Sequence, residues 1–373
     1  MAQTPQVAIV GAGIAGLVLG RCLLKHGIRA VLYERDALKP RYGYSITLQP
    51  AAYRQILPVL DLDERGFRQR VSVDGTAGGE STHGSSSFRA TRLKLEELLR
   101  EGLDIRWEHK LIEVDSASSP SGLAFENGSK ATSQIIVGAD GVHSQIRKTI
   151  SPSTEFDILP YAVYNGKRRL SAATFQSKYA SHFRESSVLT HKSRTGNKNT
   201  LLQISINELT QDKASLSYVF SRPALSNSGE DPLFRPTRPI SGAQEIPDQL
   251  FNEITQLDSL PPALTEIFKP EAMKEDRLLN WLMRTLFVPE ANLNAAAEKG
   301  IVLLGEAAHA GPLLGSEGAN EAIEDAVALA GVIAQSKDLK EFYRETYAGW
   351  EKGVRDGRGR LDEMHRVAES SSL

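Results

Sequence analysis

The pattern of hydrophobic residues near the start of the chain changes period twice within thirty residues. Residues 7–10 are consecutive apolar residues, the pattern of a buried strand, and the apolar residues that follow up to Gly27 recur at helical spacing. A second apolar run ends at Glu34. This order predicts a strand, a helix and a parallel second strand, and therefore an α/β fold.

Alternating and helical patterns divide the rest of the chain. Residues 158–284 contain alternating runs such as "TLLQISINE" and "ASLSYVFSR", which predict a β-sheet with a Pro-rich loop and short helices. The Gly- and Ser-rich residues 71–85 predict a surface excursion without a core face. The predicted organisation is a discontinuous Rossmann-like domain over 1–70, 86–157 and 285–335, a β-sheet substrate domain over 158–284, and C-terminal helices over 336–373.

Composition and charge exclude several classes of function. Lys and Arg total 44 against 46 Asp and Glu, without a long run of like charge, so we expect no nucleic-acid partner. We also expect no membrane span, because no stretch of the required length is continuously apolar. Cys22 is the single cysteine, which favours a reducing compartment such as the cytoplasm. The final residues "SSL" only partly match a peroxisomal signal, and the oligomeric state stays open.

Three glycines follow the first predicted strand at the spacing G-x-G-x-x-G. In this context Gly11 allows a tight turn, Gly13 lets the backbone approach a pyrophosphate, and Gly16 lets the helix pack on the strand. The helix N-terminus offers N–H groups to the phosphates, and Glu34 can accept hydrogen bonds from the ribose hydroxyls. The unit therefore predicts an adenine dinucleotide with a free ribose, either FAD or NAD.

Two later stretches resemble motifs of one protein family. "GADGVHSQIR", which contains Asp140, resembles the Asp-Gly motif of the class A flavoprotein monooxygenases, the family related to para-hydroxybenzoate hydroxylase. "VLLGEAAHAGPLLGSEGANEAIEDAVALA" resembles the Gly-Asp motif of that family and the helix after it, with Glu306 at the position of the usual Asp. The three motifs occur in the family's order, so the resemblance implies FAD as the cofactor.

The resemblance also implies which residues contact FAD. In "FRATRLKLEELLREG", Arg92 matches the arginine that reaches the flavin, with Arg89 as its competitor, and Arg35 matches a residue beside the adenosine. Glu306 would accept hydrogen bonds from the ribityl hydroxyls, and the helix that starts near residues 319–320 would direct its N-terminus at the flavin ring. The predicted cofactor contacts are Gly11, Gly13, Ala15, Gly16, Glu34, Arg35, Arg92, Asp140, Glu306, Pro312, Gly318, Ala319 and Asn320.

Part of the Gly-Asp motif departs from the family's pattern. Leu313, Leu314 and Ser316 stand where a Pro, an aromatic residue and a Gly are usual. Since these positions line the reactive edge of the ring in the family, the departure bears on oxygen chemistry or substrate approach more than on FAD binding. Gly315 and Gly318 are predicted to let the backbone approach the ring.

The resemblance implies an FAD-dependent monooxygenase that is reduced transiently by NAD(P)H and inserts one oxygen atom from O2 into a small aromatic or polycyclic substrate, such as a secondary metabolite. A reductase or dehydrogenase on the same fold is the main alternative, and a non-enzymatic binding protein is a weaker one. A flavin-dependent halogenase is disfavoured because Trp107, Trp281 and Trp350 are far apart in sequence. Tyr164 is the candidate substrate contact, and the sequence predicts neither a catalytic base nor a metal site.

Overall fold

The computed structural model describes residues 6–38, 43–75, 87–116, 118, 120–195, 198–225, 231–257 and 259–366. The strands among these residues are β1 (Val7–Val10), β2 (Ala30–Tyr33), β3 (Ser45–Leu48), β4 (Phe88–Thr91), β5 (Ile105–Arg106), β6 (Leu111–Asp115), β7 (Ser121–Phe125), β8 (Lys130–Ser133), β9 (Ile135–Gly138), β10 (Asp157–Ser171), β11 (Val188–Thr195), β12 (Lys198–Leu209), β13 (Lys213–Pro223), β14 (Arg277–Phe287), β15 (Ile301–Leu303) and β16 (His309–Ala310). The helices are α1 (Ile14–Lys25), α2 (Pro50–Leu60), α3 (Glu64–Val71), α4 (Arg92–Arg100), α5 (Gln145–Ile150), α6 (Ala172–Lys178), α7 (Asp248–Thr255), α8 (Pro262–Ile267), α9 (Pro270–Lys274), α10 (Glu290–Ala297), α11 (Gly318–Ala334) and α12 (Lys340–His365).

A parallel sheet in the order β15-β9-β1-β2-β5 forms the centre of the first core. Every residue of β1 is buried, which explains why its run is continuously apolar rather than alternating. Val10, the last residue of β1, lies beside Tyr33 of β2 and Gly138 of β9, and Leu303 of β15 lies beside Gly138 as well. The carboxyl ends of four strands therefore meet at one edge, and that edge carries the motif residues.

An antiparallel sheet in the order β11-β12-β13-β10-β14-β16, here called the roof sheet, forms the second part of the fold. Helices α6 to α9 cover one face, the outer face, where Tyr164 and Leu216 pack against residues such as Phe251 and Leu264. The opposite, inner face carries Val163 in a smaller core with residues of α12 and of residues 302–330, which contain the Gly-Asp motif and are here called the Gly-Asp segment. Since β16 belongs to that segment, the roof sheet is joined directly to the motif region.

A two-stranded ribbon of β3 and β4 connects the two parts. The backbone N–H and the hydroxyl of Ser45 bond to Asn207 of β12, with Ser45 Oγ 2.6 Å from the Asn207 carbonyl oxygen. Thr91, which lies opposite Ser45 in the ribbon, donates to the same carbonyl at 3.3 Å. Because side chains alternate along a strand, the face of the ribbon that carries Ser45 and Thr91 is the one that faces the roof sheet.

Three features differ from the sequence-based expectations. The C-terminal helices are represented in the described residues by one 26-residue helix, α12. Val71 and Val73 are buried, so the predicted surface excursion does not begin at residue 71; residues 76–86, like the terminal "SSL", lie outside the described residues. Both predicted edges of the substrate domain lie near or inside strands, since β10 starts at Asp157 and β14 continues to Phe287. The division into domains stays a prediction.

No helix in the described part of the chain combines the length and the apolar character needed to cross a bilayer. The α/β fold class that the sequence predicts is confirmed.

Candidate functional site

The glycine-rich turn between β1 and α1 is shaped partly by packing within the protein. Gly11 has a φ of +105°, and a Cβ atom there would collide with the carbonyl of Ala139 after β9. A Cβ atom at Gly16 would collide with the carbonyl of Gly11. Both glycines are thus required by the close contact of strand and helix, as the motif predicts.

Packing within the protein does not require a glycine at position 13. The nearest atom to a Cβ placed there is Nη2 of Arg92, at 3.9 Å, so an alanine would fit. Gly13 is also the N-cap of α1 and supplies no side-chain cap, so the N–H groups of the first turn face this open side. Together they form an open cradle next to a cation, the geometry that a pyrophosphate group requires.

Glu34 lies directly beside this turn. Its side chain is buried, Oε2 accepts a hydrogen bond from the N–H of Ala12 at 2.8 Å, and Oε1 accepts one from the N–H of Asp36 at 3.0 Å. The carboxylate is therefore fixed at the end of β2. Arg35 is exposed, with its Nε 4.0 Å from the Asp36 carboxylate.

Arg92 and Arg89 lie on different sides of the ribbon's end. Arg92 opens α4, donates from Nε to Glu96 at 2.8 Å, and bonds to the hydroxyl of Tyr44 while its guanidinium lies 5.3 Å from that ring's centre. It is the arginine next to Gly13. Arg89 belongs to β4 and contacts Thr47 instead, on the face of the ribbon that faces the roof sheet.

Asp140 follows β9 at the same sheet edge. Its Oδ2 accepts from the N–H of Gln145 at 2.7 Å, whereas Oδ1 is buried and has no hydrogen-bond partner among the described residues. Burial raises the pKa of the Asp140 carboxyl, and hydrogen bonds from Ser144 and the turn that follows oppose this effect. A buried carboxylate oxygen without a donor is unusual in a folded protein and indicates a place for a ligand hydroxyl.

Glu306 is exposed in a short 3-10 turn, residues 305–307, after β15. Its Oε1 lies 3.5 Å from the position of a Cβ on Gly318, the first residue of α11. No side chain caps the start of α11, where Ala319 follows Gly318. The methyl group of Ala15 lies 3.5 Å from a Cβ placed on Gly305, so α1 and this turn are in contact. The carboxylates of Asp140 and Glu306 and the N-termini of α1 and α11 therefore lie at the same edge of the parallel sheet.

Other residues of the Gly-Asp segment hold the segment in place. The Asn320 side chain accepts from the N–H of Gln49 at 2.9 Å and donates to the carbonyl of Thr47 at 3.1 Å, which ties α11 to the end of β3. Pro312 is buried, and its Cδ lies 3.1 Å from a Cβ placed on Gly357 of α12.

Gly315 differs from its predicted role. Its φ is +90°, and a Cβ there would lie 2.9 Å from the carbonyl of Gly357. Contact with α12 therefore explains this glycine without a flavin ring. Leu314 is buried in the core of the inner face, whereas Leu313 is 54% exposed, so the two departures from the motif have different surroundings.

A buried network supports the same segment from behind. Nε2 of His309 lies 2.8 Å from Oδ2 of Asp325, which also accepts the N–H of Gly305 at 2.8 Å. Oδ1 of Asp325 accepts from Trp350 Nε1 at 2.7 Å, and the Trp350 ring stacks on His309 with centroids 4.4 Å apart. His309 is therefore held in the interior by Asp325 and Trp350 and has a structural role.

Tyr164 is not brought to the site. It is 1% exposed, packs in the core of the outer face, and donates from its hydroxyl to the carbonyl of Leu233 at 3.1 Å. Its neighbours Asn165 and Val163 point to the inner face, because successive side chains on a strand alternate. The structure therefore places Tyr164 on the face of β10 opposite to Asn165 and Val163, among the residues covered by α6 to α9.

Sequence reasoning missed the polar residues where the inner face meets the ribbon. Nδ2 of Asn207 donates to the hydroxyl of Ser217 at 2.6 Å, and Ser217 lies opposite Lys167 in the roof sheet. The ammonium of Lys167 lies against Gly43, which precedes β3. The available signal was "FRATR", in which a charged residue alternates with apolar ones in a short strand.

Comparisons with known proteins agree with this geometry. Residues 4–56 match the family described as FAD binding domain. The chain is 30% identical to the FAD-dependent monooxygenase adaC of Aspergillus niger, over 98% of this chain and 94% of that protein. It is 28% identical to the FAD-dependent monooxygenase nscC of Neosartorya fischeri, over 98% and 97% of the two chains. The fold resembles that of Klebsiella pneumoniae HpxO complexed with FAD and uric acid, with a TM-score of 0.64, 16% identity, and 97% and 90% coverage.

Proposed function

The chain belongs to the family of FAD-dependent monooxygenases, and from that premise we propose which of its residues hold FAD and where its substrate lies. FAD is the cofactor and NAD(P)H is the reductant. Because the family consists of monooxygenases, we prefer oxygen transfer to the alternative of a dehydrogenase. The substrate that we propose is a small aromatic or polycyclic compound.

The observation that carries the residue assignment is the unsatisfied Oδ1 of Asp140. A buried acceptor without a donor costs about 1–3 kcal/mol, and a hydroxyl of the ribityl chain would satisfy it. Glu306, exposed at the neighbouring strand end, would accept from the same chain of hydroxyls. The extra methylene of Glu relative to the family's Asp is accommodated because its carboxylate is free of close packing on the solvent side.

The dinucleotide end of the cofactor fits the first βαβ unit. The pyrophosphate would lie at Gly13, where the first turn of α1 presents N–H groups and Arg92 adds a positive charge. Gly11 and Gly16 keep the turn close to the sheet edge, and Glu34 would accept the ribose hydroxyls. Arg35, exposed beside it, would lie next to the adenosine.

The ring end would lie at the start of α11. Bound FAD would supply the redox chemistry of the reaction, in which NAD(P)H and O2 are consumed, one oxygen atom enters the substrate and the other leaves as water. Gly318 and Ala319 would place the N-terminus of the helix against the ring, where its partial positive charge stabilises added negative charge by about 0.3–2 kcal/mol. Asn320 and Pro312 position this turn by their bonds and packing. The roof sheet would cover the ring and exclude water.

The organisation of the chain follows from this assignment. We propose that 1–70, 86–157 and 285–335 form the cofactor domain, with the substrate on the inner face of the residues 158–284. O2 and the small-molecule substrate are the partners of this reaction. We place the protein in the cytoplasm, in keeping with its free, buried Cys22.

The test of the function starts from the purified protein and its visible spectrum. Oxidation of NADPH and NADH in air is followed with a panel of phenols and polycyclic ketones, and the products are weighed by mass spectrometry. We expect flavin absorbance, substrate-stimulated oxidation, and a product heavier by one oxygen atom. Flavin with oxidation but no oxygenated product, across a broad panel, would argue against the proposed substrate class.

A second experiment tests the residue assignment. Because hydroxyl donors stabilise the charged carboxylate, FAD affinity should rise with pH until the Asp140 carboxyl, whose pKa burial raises in the FAD-free protein, is fully ionised. Asp140→Asn should lose this rise and bind FAD about tenfold more weakly at neutral pH. Asp61→Asn, at a 75%-exposed carboxylate on the surface, is the matched control and should bind FAD as the parent does. Unchanged affinity in Asp140→Asn would refute the assignment.

A further inference from the structure

We propose that the substrate carries a negative charge, as a carboxylate or an enolised 1,3-dicarbonyl, and that Arg89 binds this oxyanion where the ribbon meets the inner face of the roof sheet. The inference rests on the proposed function, because it names the substrate class of the same site. The two oxyanions share one chemistry, a planar pair of oxygens.

Arg89 is a buried cation whose guanidinium forms few hydrogen bonds and no ion pair with the described residues. The residue is 8% exposed, and its one hydrogen bond to a described residue runs from Nη1 to Oγ1 of Thr47 at 3.3 Å. Nε is buried without a hydrogen-bond partner, and no carboxylate of the described residues forms an ion pair with Arg89. Burial lowers the pKa of the guanidinium to about 10, so it remains charged at neutral pH. A buried charge without a partner is costly to the fold, which favours a role in binding.

The position of Arg89 separates it from the cofactor. Arg92, at the start of α4, is the arginine beside Gly13, whereas the Arg89 side chain lies on the ribbon face that contacts the roof sheet. The same face is connected to the ring end of the site, because the Asn320 side chain donates to the carbonyl of Thr47. A molecule held by Arg89 would therefore lie between the roof sheet and the start of α11.

A second cation faces the same region from the roof sheet. Lys167 lies on the inner face with its ammonium against Gly43, two residues before Ser45. Burial, followed by the charge of Arg169, lowers the pKa of Lys167. Glu208, the carboxylate that opposes this effect, is paired with Lys213 at 3.2 Å. Neither Arg89 nor Lys167 forms an ion pair with a carboxylate of the described residues.

Among the described residues, the side chains that form hydrogen bonds where the ribbon meets β12 and β13 are neutral. They are hydroxyls and one amide, which orient a bound oxyanion without repelling it: Ser45, Thr47, Thr91, Asn207 and Ser217. A guanidinium presents parallel N–H groups that match two oxygens of a planar acid or enolate. An uncharged substrate would leave Arg89 buried and unpaired, so the site selects against it.

The test uses the FAD-loaded protein and three probes. Titrations followed by the flavin spectrum compare 1-hydroxy-2-naphthoate, its neutral primary amide, and 2-acetylindane-1,3-dione, an acidic triketone. We expect the parent protein to bind at least one anion about tenfold or more tightly than the amide, since bonds to a charged group contribute about 1.5–3 kcal/mol. Preference for the naphthoate identifies a carboxylate, and preference for the triketone identifies an enolate.

Variants then assign the preference to Arg89. Arg89→Gln should bind the anion about tenfold more weakly, bind the amide as before and retain FAD, while Arg89→Lys should keep part of the preference. Arg344→Gln, at an exposed arginine in the first turns of α12, controls for net charge. If Arg89→Gln fails to fold, Arg89→Lys and Lys167→Gln carry the comparison.

Three results would overturn the inference: a parent protein that prefers the amide or binds none of the probes, or an anion preference that survives in Arg89→Gln. These are distinct from failure of the proposed function. A parent protein that binds FAD and oxygenates its substrate but shows no preference for the anions over the amide would refute the inference alone, whereas a protein that binds no FAD would refute both.

Discussion

Two buried arginines on opposite sides of the roof sheet have opposite surroundings. Arg222 is 1% exposed and has two carboxylate partners: Asp231, with Nη1 and Nη2 both at 2.8 Å, and Glu253, with Nε at 2.7 Å. Arg89 is nearly as buried, but among the described residues its hydrogen-bond partner is the hydroxyl of Thr47 alone. The charge of Arg222 is balanced within the chain, and that of Arg89 is not.

A second arginine on the outer face is also paired with a carboxylate. Arg168 donates from Nε to Asp276 at 2.9 Å, and the hydroxyl of Tyr218 donates to the same carboxylate at 2.8 Å. Arg222 and Arg168 on the outer face are thus paired with carboxylates, while Lys167 and Arg89, which face the proposed substrate, have no carboxylate partner among the described residues. The difference indicates that the protein balances the buried positive charges on the outer face, whereas a ligand would balance those on the inner face.

The largest effect that we expect comes from Arg222→Met. This change leaves Asp231 and Glu253 buried without a cation, which costs about 3–5 kcal/mol of unfolding free energy. Arg89→Met removes a charge without orphaning a carboxylate and should lower stability by less than about 1 kcal/mol, or raise it. Urea unfolding of the FAD-loaded proteins measures both, and equal losses would contradict the comparison.

The second prediction concerns acid stability. The hydrogen bonds from Arg222 outweigh burial and lower the pKa of Asp231 from its ordinary 3.8 to about 2. A lowered acid pKa contributes stability that is complete above the unfolded pKa and is lost as pH falls from about 4 towards 2. The contribution is on the order of 2 kcal/mol.

Denaturation curves between pH 5 and 2 test this, and Asp231→Asn is the informative variant. It should be less stable at pH 5 and should lose less stability on acidification than the parent. Asp61→Asn, at an exposed carboxylate, is the control and should follow the parent curve. Parallel curves for Asp231→Asn and the parent would show that Asp231 carries no charge-dependent stability.

Much of the fold follows from local patterns in the sequence. The continuous apolar run of β1, the glycines after it and the acidic end of β2 each have one simple explanation, and parallel strands bring their carboxyl ends to one edge. The positions of Asp140 and Glu306 follow from the same rule, because each comes directly after a buried strand. At strand ends, therefore, the sequence predicts well which residues lie close together.

Other features depend on contacts that are distant in sequence. Tyr164 and Asn165 are neighbours, and only the packing of α6 to α9 decides which of them faces outwards. Gly315 is explained by α12, more than forty residues later. Arg89 and Arg222 differ in their partners, since Glu253 reaches Arg222 through the fold. Sequence alone gives no measure of whether a buried charge is paired.

The third prediction separates the two arginines near the ribbon. Arg92→Gln should weaken FAD binding by about tenfold, because it removes the cation beside the Gly13 cradle. Arg89→Gln should leave FAD affinity within about twofold of the parent, since its side chain faces the roof sheet. Fluorescence titration of the FAD-free proteins gives both values. Loss of FAD affinity in Arg89→Gln would place that residue at the cofactor instead.

The smallest effect concerns the two faces of β10. Tyr164→Phe removes one buried hydrogen bond to the Leu233 carbonyl and should cost about 1 kcal/mol of stability. Since this side chain lies on the outer face, the variant should keep the KM of the parent for the substrate. Lys167→Gln, on the inner face, should raise KM for an anionic substrate several-fold with little change in stability. The pair is measured by steady-state NAD(P)H oxidation and thermal unfolding. A raised KM in Tyr164→Phe with unchanged KM in Lys167→Gln would reverse the assignment of the faces and place the substrate beneath α6 to α9.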